Sequence, residues 1–471
     1  MTTIKLDPGA ALLLDALHGA GHAAYAVGGC VRDSLLGLDP HDWDLCTSAR
    51  PEQVMALFGE EKCIPTGLQH GTVTVKQGGR LYETTTFRTE GAYSDGRHPD
   101  AVCFVPDVRE DLARRDFTIN AMAYSAEEGL IDPFGGRDDL AAHLVRAVGE
   151  PERRFEEDAL RILRLYRFAA RFGFAIDPAT GAAARALGPH LDCVSAERIQ
   201  EELLKLLAAP RPGSYLEPAV LAVVLPELEP EKQPERFAEL CRTIDRIEPT
   251  AENVPARLAA LLWPLGEAGA RKALRKLKCS NALTDEVTAL ESEAGGGAGS
   301  FSKDRPLGWD PVAAGNRAGD GMACNSNDRR QWRMQEVAVG AAASDTQAMR
   351  SGCWEPQPEL VSDQTLMAKR LLGRYELPTI QRLTALCSAR HPEQTGAFAA
   401  LRAEAERLTA ENACCRVSQL AVNGRDLMAA GVRPGPGLRQ VLNALLEAVI
   451  TGQTPNEKDA LLAAAAQFSA S

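Results

Sequence analysis

Residues 25–47 read YAVGGCVRDSLLGLDPHDWDLCT, and this stretch decides the fold of the first part of the chain. A short apolar run ends in Gly28-Gly29 and is followed by a helix-like segment, which is typical of a strand that turns directly into a helix. Such a turn lets backbone N–H groups approach a phosphate closely, and the helix N-terminus attracts its negative charge. Arg32 could add a fixed positive charge there. Because glycine pairs are also common in ordinary turns, the pattern alone is a weak indication of phosphate binding.

The end of the same stretch places two carboxylates two residues apart. On a strand, Asp42 and Asp44 point to one face, while Trp43 and Leu45 point to the core. Two converging carboxylates repel each other unless a cation lies between them, and Mg²⁺ prefers carboxylate oxygens together with substrate phosphates. Metal-assisted phosphoryl or nucleotidyl transfer needs this arrangement, in which one ion lowers the pKa of the attacking hydroxyl and a second neutralises the leaving pyrophosphate. The alternative is a solvated acidic turn after Pro40.

Further strand patterns occur within the first 145 residues. GTVTV (71–75) and LYETTTF (81–87) are rich in β-branched and aromatic residues, and helix-like segments lie between such runs. Glu83 alternates into a position that could supply a third carboxylate, although a solvent-facing glutamate explains it nearly as well. From about Pro151 onward apolar residues recur at helical spacing, as in RRFEEDALRILRLYRFAARFGF (153–174). We therefore expect an α+β fold, with a small mixed sheet and its helices followed by all-α domains.

Composition and charge narrow the function classes. The chain has 471 residues, of which 45% are hydrophobic, and its formal net charge is −12. The length indicates several domains, and the acidic charge argues against a protein that coats nucleic acid indiscriminately, without excluding a local basic groove. The twelve cysteines are scattered without a CxxC pair, which favours reduced thiols over disulfides or zinc. No apolar run is long enough to span a membrane, so we expect a cytoplasmic protein with no membrane partner.

Four motifs occur along the chain in a fixed order: GGCVRD with DWD (28–44), RRDFTINAM (114–122), DPFGG (132–136) and EDALR (157–161). Together they resemble the class II tRNA nucleotidyltransferases, the family of CCA-adding enzymes and bacterial poly(A) polymerases within the polymerase-β superfamily. The resemblance covers about residues 20–280 and 365–465. It implies a catalytic head over 1–145, a helical neck with the base-selecting motif over 146–215, a helical body over 216–293 and a helical tail that binds tRNA over 361–471. Residues 294–360, rich in Gly, Ser, Asn and Asp, depart from the family, and we expect a low-complexity insertion there.

The EDALR motif resembles the one with which this family selects the nucleobase. On a helix, Asp158 and Arg161 are three residues apart and share a face. A carboxylate only accepts hydrogen bonds and an arginine only donates them, so the pair fits the amino group and neighbouring acceptor of cytosine and adenine. Uracil and guanine present a carbonyl and an N–H there, so the pair would accept CTP and ATP without a template. Taken alone, the same spacing describes an ordinary surface ion pair.

The resemblance also implies further nucleotide contacts. It assigns the nucleotide to Gly28, Gly29, Arg32, Asp158, Arg161, Arg164 and Arg167, and the ribose with its 2′-hydroxyl to Arg115 and Asp116. Arg171 continues the arginine stripe by one turn. In SAERIQEELLKLL (195–207), Arg198 and either Glu201 or Glu202 would brace the base-selecting helix.

The expected reaction is template-independent addition of CCA to the 3′ end of tRNA from CTP and ATP, with two Mg²⁺ ions and release of pyrophosphate. The alternatives are poly(A) synthesis, a partial A-adding or CC-adding activity of the same family, and a non-catalytic tRNA-binding relative. RTEGAYSDGRHP (88–99) resembles the flexible loop that CC-only enzymes lack, and the chain has no Lys/Arg-rich C-terminal tail of the kind that poly(A) polymerases use. Both features favour the complete CCA activity.

The partners of the helical part are less well determined by the sequence. The basic run Lys272, Arg275, Lys276 and Lys278 is either a patch that binds tRNA phosphates or an ordinary charged helix face. The protein is expected to be a monomer or a homodimer.

Overall fold

A computed structural model describes residues 3–90, 102–295 and 363–468. The chain divides into two compact units, the first formed by Met1–Phe301 with Pro378–Ala399 and the second by Ser302–Leu377 with Ala400–Ser471. The predicted insertion lies outside the described residues apart from its first two positions, and so does the predicted loop from residue 91 onward. The finer division into head, neck, body and tail stays a prediction.

The first unit contains the predicted mixed sheet. Its seven strands are β1 (Ala24–Val27), β2 (Leu45–Thr47), β3 (Cys63–Gly67), β4 (Thr72–Gln77), β5 (Arg80–Thr86), β8 (Ala123–Ser125) and β9 (Gly129–Ile131), and a separate two-stranded pair joins β6 (Arg88–Glu90) to β7 (Val102–Phe104). The order in the sheet is β3-β4-β5-β2-β1-β8-β9. Within it β2 and β5 run parallel, and every other pair of neighbours runs antiparallel.

Within the described residues, five helices occur in the same part of the chain as this sheet, and apolar side chains of β1 lie in the core. The helices are α1 (Pro8–Gly19), α2 (Gly29–Leu35), α3 (Pro51–Phe58), α4 (Val108–Ala113) and α5 (Gly136–Ala141). Tyr25 and Val27 of β1 lie in one buried cluster with Phe87 and with Leu112 of α4. The start of α1 is fixed by Asp7, whose carboxylate accepts hydrogen bonds from the first free backbone N–H groups of the helix. The predicted α+β class is confirmed.

The rest of the first unit is helical, with one exception. Its helices are α6 (Pro151–Glu157), α7 (Leu160–Phe172), α8 (Pro178–Ala186), α9 (Ala196–Leu207), α10 (Pro218–Val224), α11 (Pro234–Arg246), α12 (Val254–Leu262), α13 (Gly266–Lys276) and α14 (Asn281–Glu293). The exception is a parallel pair of two-residue strands, β10 (Leu144–Val145) and β11 (Ala175–Ile176), which the sequence pattern did not predict. Two residues are too few to display a period of two.

Arg257 of α12 connects the ends of two other helices. Its side chain is fully buried, with 0% exposed, and it donates hydrogen bonds only to backbone carbonyls. One nitrogen reaches Leu207 and Ala209 at the end of α9, at 2.6 and 2.5 Å, and the others reach Ile247 at the end of α11. Because the last carbonyls of a helix have no partner within the helix, this one cation satisfies two helix ends at once.

The second unit is also helical in its described part. The last six helices of the chain are α15 (Asp363–Arg374), α16 (Leu377–Arg390), α17 (Thr395–Ala410), α18 (Gly424–Ala429), α19 (Pro436–Ile450) and α20 (Lys458–Phe468), and α16 and α17 each have residues in both units. Leu427, Leu445 and Leu461 form the centre of the core of the second unit. In the described ranges, no helix combines the length and the apolar content that crossing a membrane requires.

Candidate active site

The turn after β1 requires glycine at its first position. Gly28 has φ 78° and ψ −122°, a conformation that side chains rarely adopt, and a Cβ atom there would lie 2.7 Å from Nη1 of Arg115. Its N–H donates to the carbonyl of Met122, at 3.1 Å, and Gly29 begins α2. The glycine pair therefore lets Arg115 lie directly against the backbone of the turn.

Arg32 lies under this turn and is already neutralised. It is 3% exposed, and its guanidinium donates to Asp33, at 2.8 Å, and to Oδ1 of Asn120, at 2.5 Å. The rings of Phe168 and Phe172 in α7 lie 5.2 and 4.8 Å from the guanidinium carbon. Burial lowers the pKa of Arg32, and the charge of Asp33 opposes that change. In this structure Arg32 joins α2 to α7, in contrast to the freely accessible phosphate contact that the sequence suggested.

Asp42 and Asp44 precede the strand on which they were predicted to lie. β2 begins only at Leu45, although the carbonyl of Asp44 still accepts a hydrogen bond from the N–H of Val27, at 3.0 Å. The predicted alternation holds nevertheless, because Trp43 and Leu45 are buried while both aspartates are exposed. The two aspartates thus have the expected orientation, although their segment is joined to β1 by this backbone hydrogen bond and not by a strand ladder.

Asp44 lies beside two further negative charges, those of Asp42 and Glu83. Asp44 reaches solvent, yet crowding by protein atoms desolvates its carboxylate and, with the charges of Glu83 and Asp42, raises its pKa to about 6. Arg115 opposes this rise. The parallel register of β2 with β5 pairs Leu45 with Thr84, which brings Glu83 beside Asp44. The side chain of Asp42 is 85% exposed, and its one polar contact within the described residues is with Nδ1 of His41, at 3.0 Å.

These carboxylates have the chemistry of a divalent cation site but are not assembled into one. Oxygen ligands with excess negative charge are what Mg²⁺ selects. In the part of the chain that the structure describes, however, no three His, Cys, Asp or Glu side chains converge closely enough to hold an ion.

Asp116 is the most completely bonded acid of the site. It is 7% exposed, and Arg164 donates two hydrogen bonds to Oδ2, at 3.0 and 2.7 Å. Oδ1 accepts from the side chain of Asn120, at 3.0 Å, and from the N–H of Phe117, at 2.8 Å. Burial alone would raise the pKa of Asp116, but the charge of Arg164 and these hydrogen bonds outweigh it and hold the pKa well below its usual range. A carboxylate accepts about four hydrogen bonds, so Asp116 has no acceptor position left.

The base-selecting motif differs from its predicted geometry. Asp158 does not belong to the helix with Arg161: it has φ −149° and ψ 102° and lies in a break between α6 and α7. The helical periodicity of the sequence continues through this break, and the side chain of Asp158 supports it by accepting from the N–H of Leu160, at 3.1 Å. The expectation of one shared helix face was therefore wrong.

Asp158 and Arg161 also have different ion-pair partners. Arg198 of α9 donates to Oδ2 of Asp158, at 2.8 Å. Arg161 pairs with Glu157, at 2.9 Å, and donates to the carbonyl of Arg114, also at 2.9 Å. Each oxygen of Asp158 accepts one bond and can accept a second, in contrast to Asp116.

The predicted arginine stripe of α7 is paired residue by residue. Arg167 donates to Glu202 of α9, at 2.6 Å, and Arg171 to Asp33 of α2, at 3.2 Å. Of the two glutamates that could brace this helix, Glu202 does so, whereas Glu201 is exposed and pairs with Lys205.

Three members of this network lie inside the motifs GGCVRD, RRDFTINAM and EDALR but received no role in the sequence interpretation. Asp33, Asn120 and Glu157 hold Arg32, Asp116 and Arg161, respectively. Nothing in the sequence indicates that Asn120 contacts Arg32, which lies 88 residues away.

The basic run, of which three residues lie in α13 and Lys278 follows its end, keeps its two interpretations. Lys272, Arg275, Lys276 and Lys278 are all exposed, and among the described residues none of them has a carboxylate within ion-pair distance. Arg271, one residue earlier, pairs with Asp285 at 2.9 Å.

Family models match three parts of the chain. The model of the poly A polymerase head domain matches residues 24–146, that of an RNA- and SrmB-binding site of polymerase A matches residues 173–231, and that of tRNA nucleotidyltransferase domain 2 matches residues 376–465. The first of these ranges contains the glycine turn, the three carboxylates and Arg115-Asp116.

Similarity to individual proteins extends over almost the whole chain. A CCA-adding enzyme of Limosilactobacillus fermentum is 33% identical over 465 residues, which are 97% of this chain and 96% of that protein. One of Geobacillus stearothermophilus is 33% identical over 459 residues, with coverage of 96% and 94%. The crystal structure of the Bacillus stearothermophilus CCA-adding enzyme in complex with CTP matches with a TM-score of 0.72, 30% identity and 98% coverage of both chains. The chain therefore belongs to the family of class II CCA-adding enzymes and is a tRNA nucleotidyltransferase.

Proposed function

We propose that this protein completes the 3′ end of tRNA by adding C, C and A from CTP and ATP, with release of pyrophosphate. The observation that carries the proposal is the connection between the base-selecting motif and the segment Arg114–Asp116. Arg161 donates to the carbonyl of Arg114, and Arg164 donates twice to Asp116. Groups suited to the base and to the ribose thus form one bonded unit beside the carboxylates.

Asp42 and Asp44 are the residues that would hold Mg²⁺, with Glu83 as the candidate third carboxylate. The residues fit such an ion because desolvation, together with the charges of Glu83 and Asp42, raises the pKa of Asp44, and a cation would offset both effects. Two bound ions supply the chemistry of lowering the pKa of the attacking 3′-hydroxyl and neutralising the pyrophosphate.

The base is read by Asp158 and Arg161. Asp158 has acceptor capacity left for the amino group of cytosine or adenine, and the hydrogen bond from Arg198 orients its carboxylate. Arg161 is held by Glu157 and by the Arg114 carbonyl, so its remaining N–H groups point in fixed directions. Pre-orientation of this kind lets protein side chains replace a template.

The ribose is contacted by Arg115, and Asp116 acts through Arg164. The Nε atom of Arg115 has no hydrogen-bond partner among the described residues, so this side chain has a donor to offer. Asp116 is filled by four donors and fixes Arg164 instead. Arg164 and Arg167 add positive charge for the nucleotide, and the glycine turn lets Arg115 approach.

The tRNA would be held by phosphate contacts on the helical part of the chain. The four exposed cations in and just after α13 are suited to this role because no described carboxylate neutralises them. A full CCA activity on free tRNA is consistent with a cytoplasmic location.

The proposal is tested with tRNA truncated to its discriminator base, Mg²⁺ and labelled CTP and ATP, supplied singly and together. We expect CTP alone to give two additions, both nucleotides together to give three, and UTP or GTP to give none. A long ladder of A residues on unrelated RNA would show a poly(A) polymerase, and arrest after CC with both nucleotides present would show a partial enzyme.

A further inference from the structure

Asn120 lies where the two charged parts of the site meet. It belongs to a single helical turn, Thr118–Asn120, just before β8, and it is 6% exposed. Its Oδ1 accepts from Nη1 of Arg32, at 2.5 Å, and its Nδ2 donates to Oδ1 of Asp116, at 3.0 Å. The side-chain amide thus lies between a buried cation and a buried anion.

The chemistry of the two neighbours determines which way the amide faces. An arginine can only donate hydrogen bonds, and Asp116, whose pKa is held far below neutrality, can only accept them. Only a group that carries an acceptor and a donor on one small planar frame connects the two. A carboxylate would repel Asp116, and an apolar side chain of the same size would leave both buried neighbours short of a partner.

The connection extends into the nucleotide-selecting helix at two points. Asn120 is linked to Arg164 through Asp116. The two hydrogen bonds that Arg164 donates to Oδ2 of Asp116 fix the orientation of its guanidinium. Through Arg32, Asn120 reaches the rings of Phe168 and Phe172 on the same helix. Rotating the amide would therefore disturb two of the contacts that α7 makes with the first 145 residues.

We propose that Asn120 is a positioning residue for the nucleotide: its amide orients Asp116, and through it Arg164, so that the cation is in place before the nucleotide arrives. The proposal rests on the proposed function in that Arg164 contacts the bound nucleotide. It assigns Asn120 no contact with substrate.

The variant Asn120→Asp tests this role with almost no change in volume. It keeps the acceptor toward Arg32 but replaces the donor toward Asp116 with a like charge. The other charged groups around the position, Arg32 with Asp33 from α2 and Arg161 with Arg164 from α7, remain unchanged. Asn253→Asp is the matched control, because its amide donates to the carbonyl of Glu248, which is not a residue of the site.

The measurement is steady-state addition of C and of A to correctly truncated tRNAs, with the melting temperature of each variant. For Asn120→Asp we expect KM for both CTP and ATP to rise about tenfold while kcat changes less than about threefold, and the preference over UTP to persist. Asn120→Ala should raise KM at least as much, and Asn253→Asp should match the wild type.

Two results would overturn the proposal. One is an unchanged KM in a folded Asn120→Asp protein. The other is a loss of kcat that parallels a lower melting temperature, since this is what a purely structural residue would give. Failure of the proposed function looks different, because the wild-type protein itself would then not add CCA.

Discussion

The acids Asp42, Asp44 and Glu83 are exposed and carry like charges, whereas every arginine of the α7 stripe is paired with a carboxylate from another element. Acids that reach solvent remain available to a cation. Partly buried arginines without partners would be costly, so they are neutralised in advance. The acidic half of the site is therefore suited to binding a cation, and the arginine half to keeping a fixed geometry. Substitutions should therefore affect activity and stability differently in the two halves.

The largest effect is expected in the exposed half. Asp44→Asn should lower the rate of nucleotide addition by roughly a thousandfold or more, because one of the carboxylates proposed to hold the metal is lost. The melting temperature should stay the same or rise slightly, since a repelling charge has been removed. Single-turnover incorporation and thermal unfolding measure the two effects. Asp15→Asn, an exposed aspartate of α1, is the control and should change neither; an active Asp44→Asn protein would refute the assignment.

Glu291 is a carboxylate outside the site that, in contrast to the exposed acids, is fully buried. Glu291 of α14 is 0% exposed, and neither of its oxygens has a hydrogen-bond partner among the described residues. Desolvation, with the charge of Glu267, raises its pKa from 4.5 to about 8, against the opposing charge of Arg390. Below pH 4.5 the carboxyl is protonated in both the folded and the unfolded state. Above that pH the unfolded chain releases the proton first, so stability is lost as the pH rises toward 8.

Glu291→Gln should remove this loss. Relative to the wild type, the variant should gain roughly 3 kcal/mol of unfolding free energy between pH 4.5 and 7, as measured by urea titration at several pH values. Glu252→Gln, at an exposed position, should show no such gain. A difference that does not depend on pH would mean that packing, and not ionisation, governs this site.

Substitutions in the arginine half should mainly lower the free energy of unfolding. Glu202→Gln leaves Arg167 without its buried carboxylate, so we expect unfolding free energy to fall by about 2 kcal/mol and nucleotide binding to weaken. The adjacent Glu201→Gln breaks only the exposed pair with Lys205 and should cost less than about 0.5 kcal/mol. Chemical denaturation of the two variants side by side measures the contrast, and equal losses would contradict the importance of burial.

The smallest effect concerns selectivity alone. Asp158→Asn replaces an acceptor-only group with one that can also donate, so a carbonyl of uracil becomes acceptable. We expect the preference for CTP over UTP to fall about tenfold, with little change in stability, because Arg198 can still bond the amide oxygen. Competition between labelled CTP and UTP measures the ratio, and Asp192→Asn is the exposed control. If the variant kept its preference for CTP over UTP, Arg161 and not Asp158 would select the base.

Sequence reasoning predicted the orientation of Asp42 and Asp44 correctly because the two residues are close in the chain and follow a period of two. It placed Asp42 and Asp44 on one exposed side although the strand begins only at Leu45. It failed at Asp158, where apolar periodicity continues across a backbone break that only the extended dihedrals reveal. It could not find Asn120, because the partner Arg32 is 88 residues distant and a hydrogen bond between such residues leaves no local pattern.

Arg257 has a mechanical consequence. Its single guanidinium holds the ends of α9 and α11, so separating them would strand three carbonyl oxygens and a cation in one step. Because these hydrogen bonds would be lost together, we expect the two helix ends to move as one body. Since α9 carries Arg198 and Glu202, we expect the groups that hold Asp158 and Arg167 to keep their places while successive nucleotides enter.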